Sequence, residues 1–477
     1  MRTNTVRIGL AGAVHPNMPG DDEGLYRKIA DGMRALSVSE GFELSVFEKP
    51  IRSEADGAAA RDYMDAAKVD FTLLFNASLP FGRIILPLAR VRSPMGLWSV
   101  PEPASSGVLQ LNSFCGTNML GSIIANYLRE YDIKFKWFYG MPEDARFIGR
   151  FRLTLRALKA MKVLRNARIG QIGGLANGFE NMYVDERVLE RKFGTYLQTR
   201  HTVEEIVERA KAIPASAVAE DGKALAAAGK VEASRLSAEH VEKSSRVYLA
   251  LRAFAAEHDY DSLAVSCWSR FQEVYGIAVC AAMSRLNEDG IATPCEADIS
   301  SAVTMLILNA LNGQKASLND LVALDEADDS FNLWHCGVAP ACWADKRGVV
   351  WDNHFNIGEY KGCDWCGNGL VADLAFKPGP VTVSCMNNDF DDLLVISGSV
   401  LDKKGFSGSS GWVGDLRLNG AKIGHDDLIN TIVVQRVNHH YAAAFGDLTD
   451  ELNEFAAWTG MRVLDAVPYR PYMQNKR

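Results

Sequence analysis

The sequence predicts an α/β protein: two open α/β (Rossmann-like) domains followed by a β-rich, antiparallel or barrel-like C-terminal domain. Three observations predict it. Up to about residue 290, short apolar runs alternate with longer segments of helical spacing, the pattern of parallel sheets covered by helices. Beyond that point the texture changes to short β-rich runs punctuated by Gly and Asn, the pattern of an antiparallel sheet or barrel. The chain has 477 residues, enough for roughly three domains.

In chain order, residues 6–14 form a buried-strand pattern, and 23–39 carry apolar residues at helical spacing (Leu25, Ile29, Met33, Leu36). Residues 43–47 alternate as a strand, 55–67 read as a helix, and 71–75 and 95–100 are short apolar strands. A second block starts with helices over 117–129 and 145–163 and a strand over 168–172 that ends in Gly173-Gly174. Helices follow over 184–192 and 203–212, the latter stopped by Pro214. Residues 215–243 are Ala-rich and charged, an exposed helical region; 245–258 continue as helix and 262–266 as a strand. The last block has one more helix over 300–311, then strands over 321–324, 381–385, 393–400, 412–416 and 441–445, with a turn at Asn419-Gly420. The expected domains are therefore 1–109, 110–287 and 288–477.

Composition removes several function classes. Hydrophobic residues make up 48% and charged residues 23%, which excludes a disordered chain. The net charge is −8 with no strongly basic region, so no nucleic-acid partner is expected. The longest charge-free run, 103–128, is interrupted throughout by Ser, Asn, Gln, Thr and Gly, so no membrane span is expected. The run 8–14 contains Gly9 and Gly12 and reads as a strand rather than a secretion signal. Nine cysteines, an odd number, fit reduced thiols in a cytoplasm. Gly173-Gly174 with Gly178 is not a dinucleotide fingerprint, so no nucleotide cofactor is expected.

Three segments can carry chemistry. The first, Cys267-Trp268-Ser269-Arg270-Phe271-Gln272-Glu273, follows a strand of the second α/β block, where open sheets place their ligands. Glu273 reads either as a functional carboxylate or as a surface residue of the next helix. The second, Cys295-Glu296-Ala297-Asp298, puts two carboxylates two apart before an apolar helix; Asp298 also fits a helix N-cap. The third, Asn438-His439-His440-Tyr441, puts two histidines into an apolar stretch, where a strand would turn them to opposite faces. Glu273, Asp298 and one of the two histidines form a set of two carboxylates and one imidazole. Such a set suits Mn²⁺ or Mg²⁺ better than Zn²⁺ and leaves positions for water or substrate oxygens.

Other residues have two readings each. His335, between Trp334 and Cys336, lines a substrate pocket or packs structurally. Gln272 can hydrogen-bond substrate hydroxyls. Trp98 and Trp268 offer apolar faces to a ligand or belong to a core. Arg270 binds an anionic substituent, such as a sulfonate or phosphate, or pairs with a local carboxylate. Cys363-Asp364-Trp365-Cys366 is a CxxC pair that would need His354, Cys336 or Cys342 to complete a zinc site, and its Gly-rich context does not suit a thioredoxin-like motif.

On these same residues the chain resembles the L-fucose isomerase / L-arabinose isomerase superfamily, in its shorter fucose-isomerase-like branch. The resemblance rests on Ile169-Gly170-Gln171-Ile172-Gly173-Gly174, the stretch from Cys267 to Gly276, Cys295 to Asp298, Trp334-His335-Cys336-Gly337, and His440 to Asp447. It implies two α/β domains and a β-rich C-terminal domain, and an aldose–ketose isomerase that requires Mn²⁺, with Mg²⁺ or Co²⁺ as substitutes. It implies that Glu273, Asp298 and His440 hold the metal, and that the two carboxylates also move protons through a cis-enediol. His440 lies six residues before Gly446, as the family histidine precedes its glycine; His439 follows Asn438, as in the family's Asn-His pair, and stays an alternative. Gln272, His335, Arg270, Asn438, His439 and Trp98 are then candidate substrate-binding residues. Ala297 departs from the family's Glu-Asn-Asp, and the chain is shorter than typical L-fucose isomerases, which leaves the sugar open among fucose-, arabinose- and sulfoquinovose-like aldoses. The resemblance also implies a homo-oligomer, a hexamer with active sites at subunit interfaces. The competing reading is a sugar-binding or sensor protein without turnover.

Overall fold

The computed structural model describes residues 3–354 and 369–474. The CxxC pair Cys363 and Cys366 lies outside the described residues. The chain divides into two compact units, Met1–Lys162 and Val163–Arg477. Both α/β blocks and the β-rich block of the sequence are present as parallel sheets and a large antiparallel sheet.

The first unit is a five-stranded parallel sheet in the order β2-β1-β3-β4-β5. Its strands are β1 Arg7–Ala13, β2 Glu43–Ile51, β3 Phe71–Asn76, β4 Met95–Ser99 and β5 Phe135–Tyr139, with helices α1 Asp22–Glu40, α2 Glu54–Ala67 and α3 Ser113–Tyr127 between them. β3 and β4 are buried along their whole length, as parallel strands covered on both faces must be. α2 starts where Ser53 and Asp56 form a reciprocal capping box. The expected boundary at 109/110 falls inside this unit, because β5 pairs with β4. Lys136 breaks the apolar run of β5 and hides it from a periodicity reading.

The second unit contains a three-stranded parallel sheet, β7-β6-β9, built from β6 Arg168–Ile172, β7 Tyr196–His201 and β9 Ser262–Val265. Helix α4 Val203–Ala212 leads into α5 Ala215–Ala228. The exposed helical region expected over 215–243 is interrupted by a two-residue strand, β8 Lys230–Val231, before α6 Ala238–His258. Gly229 makes the break, since a Cβ there would lie 2.6 Å from the Val349 carbonyl oxygen and 2.9 Å from Trp351 Nε1. Beyond β9 come three helices, α7 Arg270–Tyr275, α8 Cys280–Asp289 and α9 Ile299–Asn312.

The remaining strands are β10 Ser317–Asp325, β11 Ser330–His335, β12 Val350–Asn353, β13 Leu370–Ala375, β14 Gly379–Met386, β15 Asp392–Val400, β16 Ser409–Leu418, β17 Ala421–Lys422, β18 His440–Phe445 and β19 Arg462–Val463. Antiparallel pairs run β15-β14-β18-β10-β11-β16, and β16 pairs back onto β15. The six strands therefore close into a barrel, which removes the exposed edges of an open sheet. Phe331, Leu333, Val383, Ile396, Val413, Tyr441, Ala443 and Phe445 belong to its apolar core.

Helix α9 connects this barrel to the parallel sheet, packing on β9 and on β10, β14 and β18. It is apolar on every face and nearly all buried, as a helix enclosed between two sheets should be. Along β18 the odd positions Tyr441, Ala443 and Phe445 join the barrel core, which leaves His440, Ala442 and Ala444 on the opposite face. The two alanines let α9 approach closely.

Asn287 of α8 fixes the segment that leads to the carboxylate turn. Its amide donates to the Thr293 and Val338 carbonyls and accepts from the Thr293 N–H. Asn287→Ala should leave these buried groups unsatisfied and destabilise the protein by about 3 kcal/mol. A lowered urea midpoint with unchanged slope is the expected result.

Candidate functional site

The site gathers where α9 meets the start of β18. A single turn of 3₁₀ helix, Cys295–Ala297, precedes α9. Glu296 and Ala297 both have φ of +58°, the left-handed region that non-glycine residues seldom occupy. Gln171 of β6 holds this turn by donating to the Ala297 carbonyl at 3.1 Å. The strained turn aims the Glu296 carboxylate at the histidines while the chain proceeds into Asp298.

Asp298 is the N-cap of α9 and is completely buried. Its Oδ1 accepts from Ser300 Oγ at 2.9 Å and the Ser301 N–H at 3.0 Å. Its Oδ2 accepts from Ser301 Oγ at 2.6 Å and His440 Nδ1 at 3.0 Å. These bonds occupy the carboxylate's four acceptor positions. Burial opposes the charge, but the His440 hydrogen bond, with the Ser301 hydroxyl and N–H, outweighs it and holds the carboxyl below its usual range.

A carboxylate with no proton can only accept, so His440 must carry its proton on Nδ1. The lone pair of His440 Nε2 is then free. Nε2 lies 3.4 Å from Glu296 Oε2 and 3.7 Å from Asp320 Oδ1. Asp320 is the direct cross-strand neighbour of His440 in the β10–β18 pair. Glu296 Oε2 and Asp320 Oδ1 are both buried with no hydrogen-bond partner. Burial raises the Asp320 carboxyl above its usual value.

Two further imidazoles face this cluster. His335, at the end of β11, lies with its ring 5.5 Å from that of His440. Its Nδ1 accepts from the Cys336 N–H at 3.0 Å, which leaves Nε2 carrying the proton. His439 stacks on Phe179 and meets the Asn181 amide at Nδ1, 3.0 Å away, so its proton also lies on Nε2. Strand alternation would send His439 and His440 to opposite faces, yet both reach Glu296. The reason is that β18 begins at His440, so His439 is not subject to the alternation.

The structure thus brings Asp298, His335, His439 and His440 together and adds Glu296 and Asp320. Asn438 stands beside them, donating to Asn388 Oδ1 at 2.7 Å. Glu273 makes its contacts elsewhere, on α7, accepting from Ser269 Oγ at 2.7 Å and Arg270 at 3.1 Å. Those two hydrogen bonds lower its carboxyl. Arg270 pairs with Glu204 and Glu273, the second of its two sequence readings. Glu273, Arg270 and Trp268 line a cleft of about 560 Å³ at the carboxyl ends of the parallel strands, with Gly173 and Thr202. Gln272 is buried with its Oε1 unpartnered. Trp98 is a core residue of the first unit, stacked on Phe147 and donating to the Gly140 carbonyl. Asp320 carried a sequence signal, an acid beside an apolar strand run, but its partner across the sheet lies 120 positions away in the chain.

No protein-family model matches the chain. Curated relatives do. The sulfoquinovose isomerase of Priestia aryabhattai is 28% identical over 399 residues, covering 82% of this chain and 84% of the relative. The sulfoquinovose isomerase of Alkalicoccus urumqiensis is 27% identical over 79% of this chain and 81% of the relative. That of Clostridium sp. (strain MSTE9) is 29% identical over 76% and 78%. The chain is accordingly an enzyme of the isomerase class. Among solved structures, an ABC transporter solute binding protein from Agrobacterium vitis aligns over 65% of this chain and 90% of its own, at 10% identity and a TM-score of 0.18, too low to carry an argument.

The lowered Asp298 carboxyl gives the site a signature in acid. A depressed carboxyl stabilises the fold fully above its ordinary value of about 4 and loses that contribution as pH falls through its folded value. Asp298→Asn, which keeps the helix cap, should cost about 3 kcal/mol at pH 7. The gap to wild type should shrink steadily below about pH 4, read as denaturant midpoints across a pH series.

Proposed function

We propose that this isomerase interconverts an aldose and its ketose, and that Glu296, Asp320 and His440 hold a Mn²⁺ ion for it. The observation that carries the reading is that two buried carboxylate oxygens lie near one imidazole nitrogen: Glu296 Oε2 at 3.4 Å and Asp320 Oδ1 at 3.7 Å from His440 Nε2. The two oxygens have no hydrogen-bond partner, and Asp298 fixes the imidazole so that its lone pair faces them. One imidazole and two carboxylates suit Mn²⁺, with Mg²⁺ or Co²⁺ as substitutes. The sequence, through its resemblance, implies Glu273, Asp298 and His440 as the ligands; here His440 is kept, Glu296 and Asp320 are the carboxylates, and Asp298 orients the histidine from behind.

Such an ion supplies Lewis-acid polarisation of the sugar carbonyl, worth several kcal/mol of barrier. The remaining chemistry belongs to the chain. Asp320, whose carboxyl is raised above its usual value by burial, takes the proton from C2 of the aldose and returns it to C1 through a cis-enediol, while the hydroxyl proton of O2 passes to O1. His335 and His439 present Nε2–H donors that orient the sugar oxygens. The relatives are named for sulfoquinovose, and that sulfonated aldose is the first proposed substrate, ahead of L-fucose and D-arabinose. The hexamer implied by the family resemblance is carried as part of the proposal; light scattering on the purified protein should give six times the chain mass of 52.3 kDa.

Chelator-stripped protein incubated with these aldoses should form ketose only when Mn²⁺ is restored. Sugar binding without ketose under both conditions would favour the sensor alternative and overturn the proposal. Asp320→Asn should lower kcat by at least about 10²-fold. Glu273→Gln, which alters the residue implied by resemblance, should keep most of the activity. If Glu273→Gln instead abolishes exchange of the C2 proton with solvent while Asp320→Asn retains it, the proton is carried by Glu273.

A further inference from the structure

Beside the oxygen-rich cluster lies a sulfur-rich one that the isomerase chemistry does not use. Cys280 opens α8, Cys336 follows β11, and His354 follows β12. The donor atoms of these three residues all lie within 4.8 Å of one another. The Cys280 and Cys336 sulfurs are 3.5 Å apart. Two sulfurs bound to one tetrahedral zinc ion at about 2.3 Å each are about 3.8 Å apart, so little movement separates this pair from a bidentate thiolate site. Cys280 and His354 are buried, at 3% and 4% exposure. A fourth donor is at hand in Cys295, whose sulfur is within 4.8 Å of that of Cys336. Among the described residues, Cys267, Cys280, Cys295 and Cys336 of this neighbourhood are free of disulfides.

We propose that Cys280, Cys336 and His354 form a second cation site, selective for a soft divalent ion such as Zn²⁺ and distinct from the Mn²⁺ site. Two thiolates neutralise the ion, and an imidazole completes a donor set of the kind that structural zinc favours. Thiolates discriminate against Mn²⁺ and Mg²⁺, as the carboxylates of the neighbouring cluster discriminate in their favour. The three ligands come from a helix start and the ends of two strands, so the ion cross-links segments far apart in sequence. His335 stands between the two sites: its Nδ1 lies 3.3 Å from Cys336 Sγ, and a ring nitrogen of His335 lies within 4.8 Å of the donor atoms of Asp320 and His440. Zinc at the sulfur site would fix the end of β11 and with it the His335 ring. The inference does not rest on which sugar is isomerised, or on turnover at all.

The test uses the full chain. Protein purified without chelator, with Mn²⁺ present to occupy the oxygen-rich site, should retain about one equivalent of zinc by elemental analysis. Cobalt-substituted protein should show an intense near-ultraviolet thiolate-to-cobalt band. That band and the zinc should be lost in Cys280→Ser/Cys336→Ser and kept in Asp320→Asn, which alters only the oxygen-rich cluster. Zinc retained equally by the double cysteine variant would overturn the proposal. So would a wild-type cobalt spectrum without the thiolate band, a result that decides the matter even if the double variant fails to fold.

Discussion

The hydrogen bond between His440 and Asp298 holds the site together. Both side chains are buried, at 1% and 0% exposure, and a buried carboxylate is tolerated only when its lone pairs are satisfied. Asp298 meets that condition in two directions. The serines of its own helix supply three donors, and the first residue of β18 supplies the fourth. The helix N-terminus adds a favourable field for the negative charge. One carboxylate therefore caps α9, docks it on the barrel and sets the tautomer of His440. The free Nε2 lone pair, around which Glu296 and Asp320 gather, follows from that tautomer.

The rest of the second unit keeps this contact in register. Closure of the six antiparallel strands fixes Asp320 opposite His440 and brings His335 to the same rim. Alanines at 442 and 444 allow α9 to lie against β18, while the larger Tyr441 and Phe445 fill the barrel. The left-handed conformation of Glu296 and Ala297 is the local strain that lets carboxylates two residues apart approach one imidazole from opposite sides. At the end of β11, adjacent residues meet different neighbours: His335 lies beside Asp320 and His440, and Cys336 beside Cys280.

Much of this was legible in the residues themselves. Strand–helix alternation and the later change of texture located the parallel sheets and the barrel, because hydrophobic period reports directly which faces are buried. Asp298 as an N-cap and the His439-His440 pair stood out for the same reason: short polar groups set against apolar runs. The N-cap reading of Asp298 is realised, and its carboxylate has acceptor positions enough to meet His440 as well. Arg270 was legible as half of a local ion pair because its partner Glu273 lies three residues away. β5 and the break at Gly229 were not legible. Their existence depends on a neighbouring strand and on the approach of the Val349 backbone, neither of which is local.

The sequence by itself determined the fold class and the helix that carries Asp298, and it supplied the carboxylates and imidazoles that the site brings together. Only the tertiary structure decided which carboxylates face the imidazole. Asp298 and His440 are 142 positions apart, and Asp320 and His440 are 120, so no spacing pattern connects them. Strand register and the docking of α9 make those pairings. The same packing leaves Glu273 with Ser269 and Arg270 and exhausts the lone pairs of Asp298 on its own cap and on His440. Residue types are written in the chain, but the direction of a lone pair is set by what is packed against it.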